Sequence, residues 1–212
     1  MRIIGTIAVA AVLLGSIAAT ATAVVHGQGS ASPATAAGPQ DMLGMDMSSS
    51  NAVALPAAQL ARARIATAVY ANDLGAAKKA GYSILTQKIP GMGYHFINPS
   101  VKGFDVRKPA ILVYEKDGGR WQLGALEWVF PKRPATPPLQ GATYGSFPAA
   151  CHYLDGTFTP EAAAADCAPT SPQSGSKLNF WHPKLVTMHV WVWYPNPSGM
   201  YASMNPLVGS FG

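Results

Sequence analysis

Cysteine is nearly absent from this chain. Only Cys151 and Cys167 occur, and no C-x-x-C spacing exists, so the sequence does not have the usual form of a thiolate metal site. In an oxidising compartment an isolated pair is most simply a disulfide. That bridge would close a loop of about 15 residues, contributing about 3 kcal/mol by chain entropy. No cysteine stands near the start of the chain, which excludes a lipid anchor on an N-terminal cysteine. Several catalytic signatures are missing as well. There is no H-E-x-x-H, no P-loop and no kinase set. Ser146, in Tyr144-Gly145-Ser146-Phe147, lacks the G-x-S-x-G frame of a nucleophile elbow. Gly91-Met92-Gly93 lacks the third glycine and the strand-to-helix setting of a dinucleotide fingerprint. The net charge is +5 and the pI about 9.3, yet the basic residues are scattered singles and pairs such as Lys78-Lys79 and Lys132-Arg133. A nucleic-acid surface would need a stripe interleaved with aromatics, so no nucleic-acid partner is expected.

The N-terminus has a positive start at Arg2, an apolar run from Ile3 to Ala19, and Ala21-Thr22-Ala23. This is the form of a secretory signal peptide over residues 1–23. The run approaches membrane-spanning length, but Ala, Gly, Ser and Thr dilute it and no basic stop-transfer cluster follows. The expectation is a secreted or periplasmic protein of the cell envelope with no stable membrane span after processing. Residues 24–55 are rich in Ala, Gly, Ser, Thr, Pro and Gln, too polar to offset their ordering entropy, and read as a flexible tether. Residues 56–212 are the size of one ordinary domain, with no internal repeat.

Within that domain, Ala57 to Ala80 reads helical. Pro56 suits a first turn, Ile65, Val69, Ala76 and Ala80 fall on one face, Asn72 is a candidate cap of a second helix, and Gly81 is a stop. Strand signals follow. Ala110 to Glu115 and Arg120 to Phe130 flank Asp117-Gly118-Gly119 and predict a hairpin. Gly141 to Gly175 reads as irregular. Leu185 to Tyr194 predicts a last strand, ended by Pro195-Asn196-Pro197-Ser198-Gly199. A helix or helix pair followed by antiparallel strands predicts an α+β domain whose sheet curls into a sandwich or small barrel.

Glu127 interrupts the apolar run of the hairpin, and strand alternation puts it on a face with Leu123, Ala125 and Val129. If that face is the core, the carboxylate must be paired or bound to a metal; if the face is wet, Glu127 is unremarkable. His189 lies in a strand apolar on both faces, sharing one with Thr187, Trp191 and Trp193. A buried imidazole needs a partner for each nitrogen, and a metal with an outer acceptor is one solution; a hydrogen-bonded core histidine is the commoner one. His95 follows two glycines in Gly91 to Pro99, a setting for a site-forming loop that Asn98 would fix. His182 opens the last strand, and His152 adjoins Cys151. His95, Glu127 and His189 are the candidate metal ligands, and His182 is a candidate fourth ligand or catalytic general base. Two or three His with one carboxylate suit a divalent ion such as Zn, Fe or Mn and can leave a position open. Met42, Met45 and Met47 in the tether are soft donors that keep Cu in the set. The five tryptophans and eight tyrosines are mostly core, with some available to stack on a small-molecule ligand.

Gly91-Met92-Gly93-Tyr94-His95-Phe96-Ile97-Asn98-Pro99, Leu112-Val113-Tyr114-Glu115 with Leu123 to Trp128, and His189-Val190-Trp191-Val192-Trp193 with Asn196-Pro197-Ser198-Gly199-Met200-Tyr201 and Asn205-Pro206 resemble a widespread uncharacterised family of small exported bacterial proteins. The resemblance runs from Ala66 onward and implies export and a shared fold, but no activity. The His and Glu placement is loosely similar to cupins, although their paired-histidine motif is absent. The sequence therefore points to a metal-dependent enzyme on a small organic substrate, with two alternatives. One is a non-catalytic binder of copper, zinc or a small ligand; the other is a structural envelope protein with satisfied core histidines.

Overall fold

The computed structural model describes residues 51–209. The expected signal peptide, residues 1–23, and residues 24–50 of the expected tether lie outside the described residues. The first helix, α1 (Asn51–Thr67), starts before the expected boundary at 56, so Pro56 lies inside it and one turn lacks the bond that a proline cannot donate. Its buried side carries Ala63 and Thr67 with Leu60 partly covered, whereas Ile65 and Val69 are exposed. The expected apolar face is thus turned outward. Small Ala63 lets the helix approach the sheet, and Thr67 Oγ1 accepts from Trp193 Nε1 at 3.0 Å. The second helix, α2 (Leu74–Lys79), is capped by Asp73 rather than Asn72, its carboxylate accepting from Ala76 N at 2.9 Å. Gly81, at φ +97°, ends it as expected.

Strands β1 (Ser83–Ile89), β2 (Gly93–Ile97), β3 (Ile111–Asp117), β4 (Arg120–Phe130), β5 (Gly145–Phe147) and β9 (Leu185–Val190) form a curled six-stranded sheet in the order β1-β2-β3-β4-β9-β5. Strands β6 (Ala150–Tyr153), β7 (Phe158–Pro160) and β8 (Leu178–His182) form a second sheet in the order β7-β6-β8. Every pairing is antiparallel, and the α+β architecture matches the expectation. Four local corrections apply. His95 lies on a strand, not in a loop. The stretch expected to be irregular holds β5, β6 and β7. The last strand stops at Val190, because Trp193 N and Tyr194 N both donate to Gly124 O, at 3.0 and 3.1 Å. Trp193 therefore leaves the face of His189 for the core beneath the helices, whereas Trp191 stays against the His189 ring.

Gly124 also explains the fourth correction. Val113 pairs with Ala125 and Tyr114 with Leu123, so Gly124 is the extra residue of a β-bulge. The bulge reverses the alternation. Leu123 joins Phe96, Tyr114, Leu126 and Trp128 in a core beneath the helices. Ala125 faces the opposite core with Leu85, Ile111 and Val113, which Phe147 and Phe180 help to close. Glu127 keeps the face of Ala125 and Val129 but not that of Leu123. Cys151 and Cys167 are disulfide-bonded, tying β6 to the chain that leads toward β8. Among the described residues no helix is long and apolar enough to cross a membrane.

Candidate metal centre

Strand register brings the first pair of polar side chains together. Glu127 on β4 lies directly opposite His189 on β9, and His189 Nδ1 donates to Glu127 Oε1 at 2.9 Å. His95 on β2 is aligned with Val113 on β3, so two strands separate it from β9. Neighbouring strands are about 4.8 Å apart, which would leave a flat sheet with roughly 14 Å between those backbones. Curvature and long side chains on one face close that gap. One ligand atom from each of His95, Glu127 and His189 falls within 4.8 Å of the others.

All three residues are only 4% exposed, and each is held by a named neighbour. Thr86 Oγ1, on β1 opposite His95, bonds His95 Nδ1 at 2.8 Å. Trp191 packs on the His189 ring with centroids 4.8 Å apart and is itself fixed by Nε1 donating to Ala202 O at 2.7 Å. Burial pushes the His95 imidazole down to about 4, outweighing the pull of the Glu127 charge, so the ring is neutral near pH 7. Burial pushes Glu127 upward, but the hydrogen bond donated by His189 leaves its carboxyl below the usual carboxylate range. The carboxylate is therefore ionised. His189 Nε2 is buried with no hydrogen-bond partner, an unsatisfied state that costs about 1–3 kcal/mol.

This donor set suits a metal ion. His189 has its outer nitrogen engaged by a carboxylate, the usual way to orient a ligating imidazole. Donors on a tetrahedral zinc lie about 3.4 Å apart, so side chains spread over 4.8 Å must draw together by small rotamer shifts around an ion. The cluster forms part of the wall of a cavity of about 660 Å³, also lined by Thr86, Met92, Ser146, Phe147, Thr187, Tyr201 and Met204.

His182 is not brought to this cluster. Pro183 and Lys184 separate β8 from β9, and His182 belongs to the smaller sheet. Its Nδ1 lies 2.7 Å from Pro183 O and its Nε2 3.0 Å from His152 Nε2, so both nitrogens are engaged away from the cavity. His152 Nδ1 donates to Leu85 O at 2.9 Å. The two facing Nε2 atoms would welcome a shared proton, but Phe147, Phe158 and Phe180 surround His152. Burial prevails and holds His152 at about 4. Asn98 fixes its turn as expected, accepting from Ser100 N and donating to Ala80 O. No tryptophan lines the cavity beside the cluster; Trp128, Trp181, Trp191 and Trp193 spend their N–H groups on Asp105 O, Glu161 O, Ala202 O and Thr67 Oγ1.

Sequence reasoning missed Thr86, Met92 and Met204. Thr86 alternates with apolar neighbours like any strand threonine, and neither methionine stands out from packing residues. The chain matches no family model, no curated protein and no solved structure, so the geometry of His95, Glu127 and His189 carries the functional reading.

Proposed function

We propose that this is an exported metal-binding protein in which His95 and His189, with Glu127 as the carboxylate that engages His189, hold a metal ion (Zn, Fe, Mn or Cu) at the wall of a cavity open to a small organic molecule. The observation that carries the proposal is the buried, unpartnered Nε2 of His189, beside an ionised carboxylate and a second neutral imidazole. A metal ion satisfies that nitrogen. When bound, the ion would supply Lewis acidity, polarising a carbonyl or lowering the pKa of a water. Glu127 Oε1 would keep the His189 ring in place, Thr86 would do the same for His95, and Leu85, Ile111 and Phe147 would limit water. The signal-like N-terminus, the disulfide and the resemblance to small exported bacterial proteins support export. The cavity beside the cluster favours a metal-dependent enzyme over a closed storage site.

Elemental analysis of the protein purified from the export compartment tests this reading. Near-stoichiometric metal is expected in the wild type, with loss in both His95→Ala and His189→Ala. Unchanged metal content in the two variants would defeat the assignment. A titration showing tight metal binding but no small molecule entering the cavity would favour the non-catalytic copper or zinc carrier.

A further inference from the structure

Resting on the metal reading above, we infer that the ion is copper in its cuprous state, held by the imidazoles of His95 and His189 with thioether sulfur from Met92 and Met204. Both methionines line the same cavity as the two histidines. Met92 sits in the turn between β1 and β2, three residues before His95, and is pinned by Met92 N donating to Ile89 O at 3.0 Å. Met204 reaches the same turn from the C-terminal segment. Asn205 N donates to Gly91 O at 2.8 Å, and the Met204 sulfur lies 3.4 Å from where a Cβ on Gly91 would stand. Asn205 is fully buried and bonded to Pro195 O and Leu207 N. The backbone beside Met204 is therefore anchored although its side chain is half exposed.

Donor softness selects copper(I). Glu127 Oε1 is committed to His189 Nδ1, so the carboxylate serves chiefly to orient that ring. The remaining donors are two imidazole nitrogens and thioethers, and thioethers select Cu(I) over hard ions that want carboxylate, carbonyl and water.

The test is a pair of competition titrations on the full chain, one with Cu(I) buffered anaerobically by bicinchoninate and one with Zn(II) against a chromophoric chelator. Wild type, the double variant Met92→Leu/Met204→Leu and His189→Ala are compared. Met-to-Leu exchange conserves volume and costs less than about 1.5 kcal/mol, and a thermal melt confirms the fold. The double variant should bind Cu(I) about tenfold or more weakly, with Zn(II) affinity unchanged. Equal Cu(I) affinity in wild type and the double variant overturns the copper inference and leaves the metal site standing. Undiminished binding of both ions by His189→Ala removes the metal reading itself. X-ray absorption of the Cu(I)-loaded wild type gives an independent readout: sulfur bonded to copper supports the inference, and a shell of nitrogen and oxygen alone overturns it.

Discussion

Replacing Gly93 by alanine should be among the most damaging one-carbon changes in this protein. Gly93 opens β2 at φ +106°, where an L side chain costs about 1–2 kcal/mol. An added Cβ would also overlap the carbonyl oxygen of Tyr114 on β3. That oxygen belongs to the backbone and cannot swing aside, so relief requires β2 to move off β3. The movement weakens pairing at Tyr94↔Tyr114 and His95↔Val113, at about 1 kcal/mol per lost hydrogen bond. The sum is about 3–4 kcal/mol, or roughly 6–16 °C in Tm for a domain of this size. Gly103→Ala is the control. Its φ is +66° and a Cβ there meets nothing within 4 Å, so only the backbone strain of about 1–2 kcal/mol applies. Equilibrium urea unfolding of both variants, with matched m-values, measures the difference. Because His95 lies two residues after Gly93, the same displacement should also weaken metal binding in Gly93→Ala and not in Gly103→Ala. Equal destabilisation of the two variants would refute the close approach of β2 to β3.

Stability should fall on acidification through His152. Its folded pKa of about 4 lies below the ordinary 6.5, so its contribution is complete above 6.5 and is lost as pH drops toward 4, by about 3 kcal/mol. Urea unfolding across that range should show the slope, and His152→Phe should reduce it to the share that His95, also held at about 4, contributes; stability that rises on acidification would show instead that the His152–His182 pair holds a shared proton. Glu127→Gln should keep the fold, since its amide oxygen still accepts from His189, but should cost about 10–100-fold in metal affinity, read by chelator competition. Replacing both Cys151 and Cys167 by alanine opens a bridge spanning a sequence separation of 16 and should lower stability by about 3 kcal/mol; calorimetry showing an unchanged Tm would contradict that.

How much was legible in the sequence depended on the range of each interaction. The β3–β4 hairpin was readable because its apolar runs and Asp117-Gly118-Gly119 turn are local, and Gly81 stops α2 for the same reason. The cysteine pair was readable because the choice was between one bridge and none. Whether Glu127 is buried was left open, because strand alternation gives the neighbours that share its face and not which face the core covers. The buried face of α1 was not readable, because Ala63 and Thr67 are covered only where Trp193, 126 residues later, closes on them. The bulge at Gly124 was equally hidden, since it exists only relative to the register of β3. The chain alone thus determined which histidines and carboxylate are candidates, and that Glu127 and His189 belong to strongly patterned strands. Tertiary structure alone decided that His95, Glu127 and His189 converge while His182 turns to His152, and that Thr86, Met92 and Met204 line the same cavity. Convergence depends on strand order and sheet curvature, which bring together side chains far apart in the sequence, and no local periodicity encodes that distance.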